Sequence, residues 1–194
     1  MWTGELKVRR VEGEISTDDI IPARYKHRFT DPALMAPHVF ENRLPGLAAT
    51  FRPGDALVSR DIFGIGSSRE QAVSALLAAG VRLVVAPEFG RIFYRNCWNL
   101  GLPAVEAAVE AAVETEKSAL PAEGARVALD LTRGRLTGPG VSVPFRPPAP
   151  MMIEMVRAGG LLPLVFARTR PPAAAQAHQD VEPSQTTPVG PQGR

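Results

Sequence analysis

Cysteine is nearly absent from this chain: Cys97 is the only one in 194 residues. A single thiol excludes an internal disulfide, and it cannot by itself hold an iron-sulfur cluster or a cysteine-rich zinc site. It fits a reducing compartment, and the cytoplasm is the expected location. Long apolar runs are missing as well. No stretch approaches the length that spans a bilayer, and Met1-Trp2-Thr3-Gly4-Glu5 lacks the basic-then-apolar form of a signal peptide. The expectation is therefore a soluble protein with no membrane partner. Charge of one sign is scarce, with a formal net charge of +2 and no long run of Lys and Arg. That balance argues against nucleic acid as a partner. The Gly-x-x-x-x-Gly-Lys-Ser/Thr phosphate loop is missing, and no internal repeat is visible.

What remains is the composition of a globular protein, 45% hydrophobic and 22% charged, long enough to bury a core. One stretch stands out. Asp61-Ile62-Phe63-Gly64-Ile65-Gly66-Ser67-Ser68-Arg69-Glu70 lies between Asp55–Arg60, which reads as a short buried strand, and the helical pattern Gln71–Gly80. Gly64 and Gly66 let the backbone bend and approach a ligand, and the amides at a helix start favour an anion. Ser67 and Ser68 add hydroxyls and Arg69 a forked cation, a chemistry suited to a small carboxylate. The same residues also suit a plain turn, with Ser67 capping the helix and Glu70 completing a capping box.

In order, the spacing predicts an opening strand over Glu5–Val11, then a polar turn Ser16-Thr17-Asp18-Asp19 before Ile20-Ile21-Pro22. A cationic loop follows over Arg24–Asp31, and a helical stretch over Pro32–Phe40 in which His38 has no metal-binding neighbours at ligand spacing. Gly80 caps the central helix and Val81–Ala86 reads as a buried parallel strand, which makes a βαβ unit with the Ser67 turn beyond the strand end, where such units bind ligands. Phe89–Gly101 reads as a helix with Ile92, Phe93 and Cys97 on its core face, and with Arg91, Arg95, Asn96 and Asn99 either on the surface or, the reading preferred, bracing the site. Ala104–Ala119 reads as an acidic helix, and Arg126–Leu131, Arg135-Leu136 and Val141–Val143 as short strands. A last helix over Ala149–Ala158 precedes an apolar stretch, Leu161–Phe166. From residue 170 the chain turns rich in Pro, Ala and Gln, and a disordered tail over 170–194 is expected beyond a single domain over 1–169.

Three segments occur in one order: Ser16–Tyr25, Gly64–Glu70, and Phe89-Gly90-Arg91-Ile92-Phe93-Tyr94-Arg95-Asn96. Together, across about residues 4–168, they resemble the small subunit of 3-isopropylmalate dehydratase, of the aconitase swivel-domain family. The resemblance implies an α/β fold, an aconitase-like swivelling domain with a mixed β-sheet and flanking helices. It implies a hydro-lyase that isomerises a 2-hydroxy-dicarboxylate by removing water and adding it back. Ser67 would be the base, an alkoxide, with Ser68, Arg69 and Gly66 binding substrate. Arg28, with Arg24 behind it, would bind the distal carboxylate from a loop about one residue longer than the Tyr-Leu-Arg-Thr form of the family. Ile65 stands where many such subunits carry a cysteine. No cofactor is expected on this chain. A four-iron four-sulfur cluster is expected on a separate large subunit, the implied partner alongside a di- or tricarboxylate substrate. Homoaconitate, dimethylmalate or methylcitrate dehydratases are alternative assignments, and so is a non-catalytic regulatory swivel partner.

Overall fold

The computed structural model describes residues 5–25, 28–67, 69–107 and 121–169. The expected tail over 170–194, Ser68, and residues 108–119 of the expected acidic helix lie outside them.

In chain order the strands and helices are β1 (Leu6–Val11), β2 (Ile15–Ser16), α1 (Thr17–Ile20), α2 (Pro32–Met35), α3 (Leu47–Thr50), β3 (Asp55–Ser59), β4 (Phe63–Ile65), α4 (Glu70–Ala78), β5 (Val81–Ala86), α5 (Arg91–Asn99), β6 (Ala104–Glu106), β7 (Arg126–Asp130), β8 (Arg135–Gly138), β9 (Val141–Pro144), α6 (Pro150–Ala158) and α7 (Leu161–Thr169). Seven of the strands form one mixed sheet in the order β6-β5-β3-β1-β7-β8-β9. The half built from β6, β5, β3 and β1 is parallel, with Val8 opposite Ala56 and Val58 opposite Val85. The other half is an antiparallel meander. β3 is buried at every residue and β5 at all but one, as expected of parallel strands covered on both faces.

Two apolar layers cover the sheet. Leu57, Val84 and Ala86 face a core with Phe40, Phe63, Phe93 and α4, while Val8, Ala56, Val58 and Val85 face another with Trp98, Val127 and Met155. Helix α5 contributes to both, Phe93 and Cys97 to the first and Trp98 to the second.

Several expectations need correction. The segment starting at Ala104 opens as a strand, because β6 pairs with β5 and that ladder overrides the helix preference of its alanines. The helix expected over Pro32–Phe40 is two short pieces, α2 and a 3-10 turn over Ala36–His38, divided where Pro37 lacks an amide proton. Leu161–Phe166 belongs to a helix, α7, which has no buried residue. Ile92 is exposed and Trp98 takes its place in the core.

Candidate functional site

Strands β1, β3 and β5 are neighbours that point the same way, so their carboxyl ends, Val11, Ser59 and Ala86, lie along one edge of the sheet. Each runs on into one of the three segments singled out above. A second, small sheet then draws those segments together. β2 pairs in parallel with β4, Ile15 opposite Phe63 and Ser16 opposite Ile65, and on the other side of β4 Phe63 bridges to Phe89. The Phe63 amide donates to the Glu88 carbonyl and the Gly90 amide to the Phe63 carbonyl, both at 2.9 Å.

Glycine is required at two contacts of this junction. At Gly64, φ is +77° and a Cβ would lie 2.2 Å from the Phe93 ring; at Gly90 a Cβ would lie 2.2 Å from the Gly64 carbonyl oxygen. The chains therefore approach more closely than any side chain would allow, and the cleft floor is bare backbone. A cleft of about 280 Å³ opens there, lined by Gly64, Gly66, Ser67, Gly90, Arg91 and Ile92.

Ser67 is half-buried in this cleft. Its amide donates to Thr17 Oγ1 at 3.2 Å, and the two hydroxyl oxygens are also 3.2 Å apart. Thr17 is fully buried. The Ser16 hydroxyl and the Asp19 carboxylate form a capping box that shapes α1 and holds Thr17 in place. Arg43 braces the same turn, reaching the Glu12 carbonyl at 2.8 Å and the Asp19 carboxylate at 3.7 Å.

Arg69 is the N-cap of α4 and makes no side-chain cap. Its guanidinium, mostly buried, pairs with Asp18 and also reaches the Ile21 carbonyl at 3.5 Å. The hydrogen bond from Arg69 holds the Asp18 carboxyl below the usual range, against the opposing effect of desolvation. The Ser67–Glu70 capping box allowed by the sequence does not form. The helix begins three residues beyond Ser67, which leaves the hydroxyl to Thr17. Gly66 sits in the cleft at φ +97°, where a Cβ would meet Thr17 Oγ1 at 3.6 Å.

The structure thus brings Gly66, Ser67 and Arg69 together. Arg28 lies on the loop that follows α1, exposed, its guanidinium 5.3 Å from the centre of the Phe29 ring. Arg24 is engaged by Glu41 at 2.7 Å and Asn42 at 3.1 Å. Of the residues expected to brace the site, Arg91 lines the cleft, Asn96 is buried in α5 and Arg95 is exposed. The individual parts played by Thr17, Asp18, Glu41 and Arg43 escape a reading of the sequence. The Ser-Thr-Asp-Asp run marks the turn, but a contact across 50 residues leaves no local spacing to detect.

Cys97, on α5, is fully buried, and desolvation pushes its thiol well above the ordinary range. Among the described residues no group of three or more His, Cys, Asp or Glu side chains is placed to hold a metal ion. A cluster therefore finds no ligand set in them.

The family described as the aconitase C-terminal domain matches residues 24–110. The 3-isopropylmalate dehydratase small subunit of Moorella thermoacetica is 41% identical over 159 residues, covering 81% of this chain and 91% of that protein. That of Sulfurimonas denitrificans is 41% identical over 158 residues, 80% of this chain and 89% of the relative. A crystal structure of 3-isopropylmalate dehydratase from Methanocaldococcus jannaschii superposes with a TM-score of 0.72 at 31% identity, covering 85% of this chain and 95% of that one.

Proposed function

Since the chain belongs to the family of 3-isopropylmalate dehydratase small subunits, we propose that it is the proton-handling half of a two-subunit hydro-lyase that interconverts 2- and 3-isopropylmalate in leucine biosynthesis. The observation that carries this reading is the placing of Ser67 Oγ in an open cleft, against a buried hydroxyl and two residues before a mostly buried arginine.

In the forward sense Ser67, as the alkoxide, takes the proton from the carbon beside a substrate carboxylate. The electrons of that C–H bond form the alkene, and hydroxide leaves from the adjacent carbon. Hydration of the alkene in the other orientation returns the proton and completes the isomerisation. A serine hydroxyl is far too weak an acid to ionise unaided. Because the Ser67 amide occupies a lone pair of Thr17 Oγ1, the Thr17 proton is free to turn toward Ser67 Oγ, and an alkoxide there, which can only accept, draws that proton. Arg69, pinned by Asp18, keeps further N–H donors of its fork for a carboxylate, and Ser68 is assigned to substrate binding from the motif alone. Gly66 leaves room for the substrate, and Arg28 takes its distal carboxylate.

A four-iron four-sulfur cluster, when bound, supplies the Lewis acid for the leaving hydroxyl, and with one buried thiol here it belongs to the large subunit. The reducing environment that cluster needs supports a cytoplasmic location. A domain over 1–169 followed by a tail over 170–194 is the organisation we assign.

The test is reconstitution with the large subunit under anaerobic conditions. Ser67→Ala is expected to lower turnover of 3-isopropylmalate at least about 10³-fold, in the range seen when catalytic groups are removed, while the complex still forms. Near-normal turnover would remove Ser67 from the role. Parallel assays with homocitrate, citrate and dimethylmalate separate the alternative substrates.

A further inference from the structure

Arg24 and Tyr25 of the cationic loop after α1 converge with His38 on the Glu41 carboxylate. Its Oε2 accepts from the Tyr25 hydroxyl at 2.7 Å and from His38 Nδ1 at 2.6 Å, and its Oε1 accepts from Arg24 at 2.7 Å. These partners are already stacked on one another. The Tyr25 and His38 rings lie 4.0 Å apart at 19°, and Phe29 stacks on both, at 5.7 Å and 5.9 Å, nearly parallel. Tyr25 passes the constraint along the backbone, its carbonyl accepting from the Arg28 amide at 3.1 Å and the Phe29 amide at 3.2 Å. The Arg28 guanidinium then lies over the Phe29 ring. Every link from Glu41 to Arg28 is a hydrogen bond or a ring contact.

The backbone beside Glu41 points the same way. Phe40 has φ +59°, the only non-glycine residue in the left-handed region among those described. A bulky side chain is rare there and needs a reason. Phe40 buries its ring edge-on to Phe63, next to Gly64, and its amide donates to the Ile20 carbonyl at 2.9 Å. The turn thus locks the Glu41 segment to α1, the element that carries Thr17 and Asp18. Of the two described arginines of the loop, Arg24 is compensated by Glu41 and Arg28 is the one that meets no carboxylate at ion-pair distance among the described residues.

We infer that Glu41 is a positioning residue for substrate recognition: through Tyr25, His38 and Phe29 it fixes where Arg28 presents its guanidinium to a substrate carboxylate. The inference rests on the reading of Arg28 given above. Misplacing a clamp by about an ångström can cost up to 10²-fold, and the loss belongs in KM, because an interaction made equally in ground and transition states leaves kcat alone.

The experiment is steady-state kinetics of the reconstituted two-subunit enzyme with 3-isopropylmalate, for Glu41→Gln, Arg28→Ala and the double variant, with thermal unfolding of each. Glu41→Gln is expected to raise KM about tenfold with kcat within about twofold, an effect that vanishes when Arg28 is already alanine. A role confined to folding would instead lower the unfolding temperature and the yield of active enzyme, and leave KM where it was, which overturns the inference. Additive effects in the double variant overturn it too. If Arg28→Ala itself leaves KM unchanged, the reading beneath it falls and this inference with it, while the Ser67 result stands apart. Should Glu41→Gln fail to assemble, Tyr25→Phe, which removes one hydroxyl and keeps the ring stack, is expected to raise KM in the same Arg28-dependent way, and an unchanged KM overturns the inference.

Discussion

Thr17 is the residue on which Ser67 leans. Thr17→Val keeps the shape of the side chain but removes its hydroxyl, so the Ser67 amide loses its acceptor and the Ser67 hydroxyl loses the hydroxyl it pairs with. The expected outcome is a fall in kcat of about 10²-fold, as for removal of one oxyanion donor, with a stability loss of about 1–3 kcal/mol for the stranded amide. Thr17→Ser should restore most of both. Kinetics and denaturant unfolding check this, and full activity in the valine variant would remove Thr17 from the chemistry. Glu41 supplies a prediction in pH. Its carboxyl is lowered from 4.5 to about 2, first by the Tyr25 hydroxyl and then by Arg24. A depressed carboxyl stabilises the fold above its unfolded value and loses that contribution as pH falls through the folded one. The unfolding temperature of the native chain should therefore drop more steeply than that of Glu41→Gln between about pH 4.5 and pH 2, and parallel curves would show that Glu41 is not linked to folding.

At the scale of elements, the site is a junction of backbones, and its glycines separate two causes of strain. Gly64 has both a left-handed φ and a Cβ contact of 2.2 Å; Gly90 has the contact alone; Gly66 has the φ of +97° with its nearest neighbour at 3.6 Å. Alanine at Gly66 is expected to cost about 1 kcal/mol, at Gly90 about 1–3 kcal/mol because a carbonyl oxygen must move, and at Gly64 more than either. Chemical denaturation ranks the three variants, and an equal cost at all three would mean that the junction yields. The central βαβ unit, the meander and the helix under Asn96 were legible, since buried parallel strands and long helices carry strong patterns. β2 and β4 were not, because strands of two and three residues, one holding a glycine, are too short to alternate. β6 was hidden by the alanine-rich stretch it opens, because its pairing with β5 leaves no local pattern. In the candidate site, the motif singles out Ser67 and Arg69, whereas the pairings of Thr17 with Ser67 and of Asp18 with Arg69 exist only once β2 lies beside β4.

At the scale of the whole molecule the work is divided between the halves of the sheet. The parallel half delivers the site along one edge, and the antiparallel half, with α6, closes the second core. Helix α5 ties the two layers, because Phe93 and Cys97 enter one core and Trp98 the other. Releasing α5 therefore means opening both layers. Cys97 sits on that helix at 0% exposure, and it is the only thiol of the chain. The molecule consequently carries its own clock. A thiol reagent added to the isolated native chain can react only in moments when both cores are parted, so the labelling rate, followed by mass spectrometry, should match that of global unfolding. A cysteine placed anywhere on the surface would be labelled at once and alone, which opens this subunit to selective tagging without any background thiol to remove first.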